Sequence, residues 1–328
     1  MKSTCVPAIS RTLLAALCGF LACSVPVHAQ VATAPHQIQL VVPFSPGGST
    51  DLFARVIGPR VSTRLGVPVV IDNKPGAGGM LGADYLSRAA PDGATLMLTA
   101  SDLSTGAAVQ KTLPFDPEKG VTTVAMLATG PMVVVVNSSS PYRTLAQLMD
   151  AARQRPGTLN YGSAGIGSLH HLAGELFTTM AKLDMTHVPY KGSAPAVQDL
   201  VAGRIDTMIA SFPATLAQVK ADKLRALAVT SLERARFSPD LPTASTNVPG
   251  YQVDIWWGVF APVGIPRETL DRLNTEFRAV VTMPEIRETL EREGAVPTTM
   301  NATEAHAFYR ADIDKWRGIA RERHITVD

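Results

Sequence analysis

Cysteine is nearly missing from this 328-residue chain: its three cysteines, Cys5, Cys18 and Cys23, all fall within the first 29 residues. Beyond that point the sequence offers no disulfide, no thiolate nucleophile and no cysteine metal ligand. Aromatic residues are scarce at 6% while hydrophobic residues reach 46%, so any core must be mainly aliphatic. Neither sign of charge is in surplus. Lys2 and Arg11 are the only charges among the first 29 residues, and without them 28 basic residues face 28 acidic ones. A balance of this kind is not built to track nucleic acid. No later stretch reaches about 18 consecutive apolar residues, the least that a membrane-spanning helix needs. Glycine and proline are plentiful, 25 and 24 residues, which in an aliphatic sequence points to many tight strand-to-helix turns rather than to disorder.

The N-terminus reads as a secretory leader. Lys2 and Arg11 flank the start of an apolar run from Leu13 to Ala22, which at about ten residues is too short to span a bilayer. Val27-His28-Ala29 supplies the small side chains needed before a cleavage point, so the exported chain is expected to begin at Gln30 and to have no lipid. A lipoprotein signal at Phe20-Leu21-Ala22-Cys23 competes less well, because Phe stands where Leu is usual. The remaining residues, about 300, suffice for two hydrophobic cores.

Along that chain, strand, Gly-rich turn and helix alternate. The pattern predicts strands at Ile38 to Phe44, Val67 to Asp72 and Ala94 to Ala100, with helices at Thr50 to Leu65 and Met80 to Ala89 between them. A long β-branched run, Ala125 to Val136, leads into a second such series. It has helices at Leu145 to Arg155, Ser168 to Ala181 and Pro195 to Ala202, a turn at Asn160 to Gly167, and strands through His187 to Pro189, Asp206 to Ser211 and Ala226 to Thr230. Another long strand, Val253 to Ala261, returns to the first series, and helices at Arg267 to Thr282, Pro284 to Glu293 and Thr303 to Arg323 complete it. The fold class is therefore α/β in two lobes, each a mostly parallel sheet flanked by helices. The first lobe is residues 30–130 and 253–328, the second 131–252, and the two crossings between them imply a hinge and a cleft.

Three turns share one chemical character, small residues and glycine directly ahead of a helix start: Pro43 to Asp51, Asn73 to Gly79 and Asn160 to Ser168. Glycine admits a ligand to the backbone, and the free N–H groups of a helix start favour a carboxylate there without a buried arginine. The plainer reading of any one of them is an ordinary turn with Ser49, Thr50 or Ser168 as a helix cap. Enzyme signatures fit less well. Gly76 to Gly82 places its third glycine one residue late for a dinucleotide loop, Lys191-Gly192-Ser193 lacks the P-loop spacing, and Tyr161 to Gly165 has Tyr where a nucleophile elbow needs Gly. Adjacent His170 and His171 point about 100° apart on a helix and cannot share one metal; they are expected to be a capped or surface pair. Trp256 and Trp257 lie on opposite faces of the returning strand, one in the core and the other either packed or roofing the cleft.

Six motifs in order resemble those of the tripartite tricarboxylate transporter substrate-binding proteins, or Bug receptors. They are Pro43 to Arg55, Asn73 to Gly79, Pro91 to Gly93, Asn160 to Ser168, His187 to Gly192 and Gly258 to Pro262, and they span nearly the whole exported chain. Ala94 departs from that pattern, where an aromatic residue is common, and so does Ser101-Asp102, where Asn is frequent. The resemblance implies a periplasmic binding protein of the type II-like flytrap class, a monomer with no cofactor, no metal and no catalytic residue. Its first-lobe contacts would be Phe44, Gly47, Gly48, Thr50, Asp51, Ala77 and Gly78, and its second-lobe contacts Ser163, Gly165, Ser168, Pro189 and Asp206. Asp51 and Asp206 would either meet an ammonium or hydroxyl of the ligand or brace their loops. The ligand would be a small carboxylate, and the partners the large and small membrane subunits of a permease. A ligand-sensing module for a regulatory system, or a periplasmic hydrolase, are the competing functions.

Overall fold

Strand β1 (Ile38–Val42) is apolar at four of its five positions and lies almost entirely buried, as expected of a strand covered on both faces. In the computed structural model, which describes residues 1–3 and 35–325, it is the centre of a parallel trio. Helix α1 (Ser49–Leu65) follows and stops at Gly66, which takes the left-handed conformation and returns its N–H to Ser62. Strand β2 (Val69–Asn73) pairs parallel with one edge of β1. After helix α2 (Met80–Ser87), β3 (Thr95–Ala100) pairs parallel with the other edge, and the short helix α3 (Asp102–Val109) caps the trio. The leader and its exit after Ala29 lie, beyond residue 3, outside the described residues.

Strand β4 (Val121–Asn137) joins the two parts of the sheet. Its second part continues into α4 (Leu145–Gln154), β5 (Asn160–Ser163), α5 (Leu169–Ala181), β6 (Thr186–Pro189), α6 (Ser193–Val201), β7 (Thr207–Ser211), α7 (Phe212–Lys220) and β8 (Leu224–Val229). Strand β9 (Asp254–Pro262), helices α8 (Arg267–Val281) and α9 (Pro284–Arg292), the two-residue strand β10 (Val296–Pro297) and helix α10 (Ala302–Glu322) complete the chain. The strand order is β2-β1-β3-β9-β4-β7-β5-β6, with β8 and β10 also on β4. Parallel pairing holds within β2-β1-β3 and within β6-β5-β7. The strands that join these trios, β4, β8 and β9, pair antiparallel. Four elements differ from the sequence expectation: β5 stands where a turn was expected, and α3, α7 and β10 were not anticipated. The described residues from 35 to 325 nevertheless cluster as one compact unit.

β4 serves both halves in turn. Val121 to Pro131 pairs with β9, and Met132 to Val136 pairs with β7 and β8. Where it changes partners, the fully buried Thr230 ties the two crossing chains together. Its hydroxyl accepts the Met132 N–H at 2.8 Å and donates to Val253 O, while its own N–H goes to Met132 O at 2.9 Å. Both tryptophans of β9 are core residues: Trp257 packs on Phe53 at 4.4 Å between ring centres, and Trp256 packs among Phe260, Phe308 and Tyr309. Neither roofs a cleft.

His170 and His171 are buried, not a surface pair, because α5 lays its first turn against the sheet. His171 stacks on His187 of β6 at 3.8 Å, and Tyr161 of β5 stacks on His187 at 5.1 Å. Glu175 takes the Tyr161 hydroxyl and faces His171 Nε2. Burial, reinforced by the neighbouring His171, pushes the His187 imidazole down to about 4 from 6.5.

Two outcomes are expected. Thr230→Val keeps the shape but orphans the buried Met132 N–H, so it should cost about 1–3 kcal/mol in urea unfolding; a loss under about 0.5 kcal/mol would show that the tie contributes little. For His187, the unfolded chain binds the extra proton between about 6.5 and about 4. Its contribution to stability is therefore complete above that window and lost as pH falls through it, approaching about 1.4 kcal/mol per pH unit. His187→Gln should flatten this part of the stability profile, and an unchanged slope would contradict the assignment.

Candidate functional site

In open α/β sheets, ligands bind beyond the carboxyl ends of the parallel strands, where helix starts also gather. Here the two parallel trios aim those ends at one another. β1 and β3 lead to the starts of α1 and α3 at Ser49 and Asp102, and β5 and β6 lead to the starts of α5 and α6 at Leu169 and Ser193. The facing loops are in contact. Ser45 donates from both its N–H and its hydroxyl to Lys191 O, at 3.2 and 2.8 Å. Thr105 Oγ1 donates to Gly167 O at 2.8 Å, and the Leu169 N–H donates to Asp102 Oδ1 at 3.1 Å.

Two glycines are required at this contact. Gly78 has φ +61, and a Cβ there would meet Ile166 O at 2.4 Å; Gly165 has φ +125, and a Cβ there would meet the Gly78 nitrogen at 3.1 Å. No side chain fits between these two backbones. Gly48 is also crowded, with Ser193 Oγ 2.7 Å from the position a Cβ would take.

Behind these contacts lies an internal cavity of about 10 Å³, lined by Phe44, Gly48, Ser49, Thr50, Ala100, Asp102, Ala164, His170, Ser193 and Ile255. That is room for about one water, so anything larger requires the halves to part. No lysine or arginine is among the lining residues. The polar groups offered are the hydroxyls of Ser49, Thr50 and Ser193, the N–H groups of the α1 and α6 starts, and the side chains of Asp102 and His170. Trp257 Nε1 donates to Ser49 Oγ at 3.3 Å, and Ser101 Oγ accepts the Trp256 N–H at 2.9 Å. Strand β9 thereby fixes two of the loops that face the cavity.

The residues anticipated from sequence fall into three groups. Phe44, Gly48 and Thr50 line the cavity. Gly47, Ala77, Gly78, Ser163, Gly165, Ser168 and Pro189 belong to the loops around it. Ser163 Oγ accepts the Gly165 N–H and bonds His187 Nε2 at 2.6 Å, and Ser168 caps α5 by accepting the His171 N–H. Pro189 ends β6 with its side chain exposed, while Gly47 donates its N–H to Asp51.

The two aspartates are committed elsewhere. Asp51 accepts from Gly47 at 2.9 Å, from Asn73 at 3.0 Å and from Arg55 at 2.8 and 3.0 Å. Burial pushes its carboxyl up, but these donors outweigh burial and hold it below the usual carboxylate value. It braces the first Gly-rich loop. Asp206 accepts the Asn160 N–H at 2.9 Å, while Asn160 Oδ1 accepts the Asp206 N–H. That locks the entry of β7 to the entry of β5, the opposite end of β5 from Ser163, roughly 10 Å along the strand.

Asp102, His170 and Ser193 line the cavity but were not among the ligand contacts expected from sequence. For Asp102 a signal existed in the Ser101-Asp102 departure at the end of β3. For His170 the sequence offered only its pairing with His171, read as a capped or surface pair.

Known proteins resemble this chain over most of its length. Residues 53–325 match the family described as "Tripartite tricarboxylate transporter family receptor". The Protein BugT of Bordetella pertussis is 33% identical over 320 residues, covering 96% of this chain and 98% of its own. Among solved structures, the R. palustris protein Rpa4515 with adipate has 36% identity and a TM-score of 0.86, covering 90% of this chain and 99% of its own. MatC from Rhodopseudomonas palustris with bound malate has 31% identity and a TM-score of 0.83, covering 87% and 99%. The family is one of binding proteins, not enzymes, and this chain belongs to it: it is a solute-binding protein of the tripartite tricarboxylate transporter receptor family.

Proposed function

We propose that this protein is exported to the periplasm, captures a small carboxylate-bearing metabolite between its two halves, and presents it to the membrane subunits of a tripartite tricarboxylate-type permease. The halves are residues 30–130 with 253–328, and residues 131–252, closing about the crossings that Thr230 ties together. One observation carries this reading: helix starts from opposite halves converge on an enclosed cavity that has hydroxyls but no lysine or arginine in its lining. Free N–H groups and the positive end of each helix dipole favour an anion at such a place. The carboxylates held by Rpa4515 and MatC support the same ligand class. No helix among the described residues is long and apolar enough to cross a membrane, so delivery to a membrane would fall to partner subunits.

In this reading Phe44, Gly47, Gly48, Thr50, Ala77, Gly78, Ser163, Gly165, Ser168 and Pro189 form the binding wall and the closing contact. Asp51 acts one step away, by shaping the loop that carries Gly47 and Gly48.

A thermal-shift screen over small carboxylic acids should find ligands that, at about 100 times their dissociation constant, stabilise the protein by about 2.7 kcal/mol. With such a ligand, calorimetric titration of Gly78→Ala should show affinity lower by at least about tenfold, since the added methyl holds the loops apart. Ser168→Ala should weaken binding through the loosened start of α5. Arg55→Ala should change affinity by less than about threefold, its side chain being half exposed and outside the cavity. Loss of binding in Arg55→Ala alone, in a folded protein, would mean a side-chain salt bridge to the ligand and would overturn the backbone-anion reading.

A further inference from the structure

Two further polar side chains, Asp102 and His170, line the cavity. Asp102 opens α3 in the first half and His170 lies in the first turn of α5 in the second; they are 1% and 3% exposed. Asp102 Oδ1 accepts the Leu169 N–H, but it lies 3.7 Å from His170 Nδ1, too far for a hydrogen bond. Among the described residues, neither ring nitrogen of His170 has a hydrogen-bond partner, and the only ionisable group paired with Asp102 is that histidine. A buried imidazole with both nitrogens idle is costly, and an enclosed carboxylate without a cation is costlier. Both side chains face the same space.

Asp102 also changes where an anion can go. By taking the Leu169 N–H it occupies the start of α5 in the way a bound carboxylate would. A ligand carboxylate is repelled from that end and drawn to the other, where the starts of α1 and α6 present Ser49, Thr50 and Ser193. The cavity therefore has an anion-seeking end and a cation-seeking end.

We infer that the ligand is a small zwitterion, an amino-carboxylic acid, with its carboxylate at Ser49, Thr50 and Ser193 and its ammonium on Asp102. One imidazole nitrogen of His170 accepts a second hydrogen of the same ammonium. A hydroxyl in that place supplies one donor and no charge, and ranks second; a plain acid leaves Asp102 without a cation and ranks last. This inference rests on the carboxylate-receptor reading above and makes Asp102 the residue that sets specificity.

The test uses matched trios of acids that differ in one substituent: succinate, malate and aspartate, with the equivalent plain, 2-hydroxy and 2-amino acids on the propionate, glutarate and adipate skeletons. Titration of the exported chain should rank amino above hydroxy above plain within whichever trio binds, with about 10- to 150-fold between the extremes. In D102N, which keeps the acceptor for Leu169 but removes the charge, the amino acid should lose about that factor while the plain acid binds as well or better. A residue that merely holds the loop would weaken all three together. The ranking in the unaltered protein decides the matter whether or not D102N folds. Binding of plain and amino acids with equal affinity overturns this inference and leaves the receptor reading intact. Failure of every trio to bind overturns the receptor reading, and this inference with it.

Discussion

The fold depends on one strand being hydrogen-bonded to two different sets of neighbours. β4 is the antiparallel partner of β9 over its first part and of β7 and β8 over its second, so the two parallel trios are held at a fixed topology but linked by few chains. Thr230 secures that link by bonding both Met132 and Val253. Around so narrow a connection, small backbone rotations move whole loops, and hinge motions of this kind require only a few residues to absorb the change. The loops that such a motion would bring together, 44–50 and 76–79 against 163–168 and 190–193, are rich in glycine because backbone meets backbone there.

The site follows from the same topology. Parallel strands put helix starts on one side of each trio, and placing the trios face to face sets four helix starts, α1, α3, α5 and α6, around one small cavity. In the proposed carboxylate site their combined partial charge would take the place of an arginine. Asp102 removes one of those helix starts from use and places a fixed negative charge in its stead. A binding site that would otherwise accept any small anion becomes one with two chemically distinct ends.

Much of the architecture was legible in the sequence because the long elements carry clear periodicity and punctuation. α1, α5, α8 and α10 begin and end within a residue or two of where pattern and capping residues put them, and the β-branched run of β4 announces a long strand. The missed elements have physical reasons. β5, Asn160–Ser163, is four residues with a glycine and becomes a strand only through its neighbours β6 and β7. α3 is built largely of Ser, Thr, Gly and Ala, which carry no stripe, and is held by burial. α7 was signalled by Pro213 near its first turn, a start marker hidden by the strand that runs straight into it. At the site, the glycines and hydroxyls of the turns were readable because backbone geometry demands them. The roles of Asp51 and Asp206 were not, because whether a carboxylate faces a ligand or a neighbouring loop depends on Arg55, Asn73 and Asn160 in three dimensions. His170 was noticed but read as part of a capped or surface pair, for the converse reason: its significance is the lack of a partner, which only packing reveals.

If the two halves close on a carboxylate held by backbone and hydroxyl donors, their separation must shorten on binding. Because all three cysteines lie within the first 29 residues, a chain produced from Gln30 carries none, and spin labels at Arg60→Cys on α1 and Gln198→Cys on α6, both exposed, report the separation of the halves directly by electron–electron resonance. With a carboxylate already shown to raise the melting temperature, the account predicts a broad or long distance distribution without ligand that collapses to a single shorter distance on binding. An identical distribution with and without that bound ligand would contradict it.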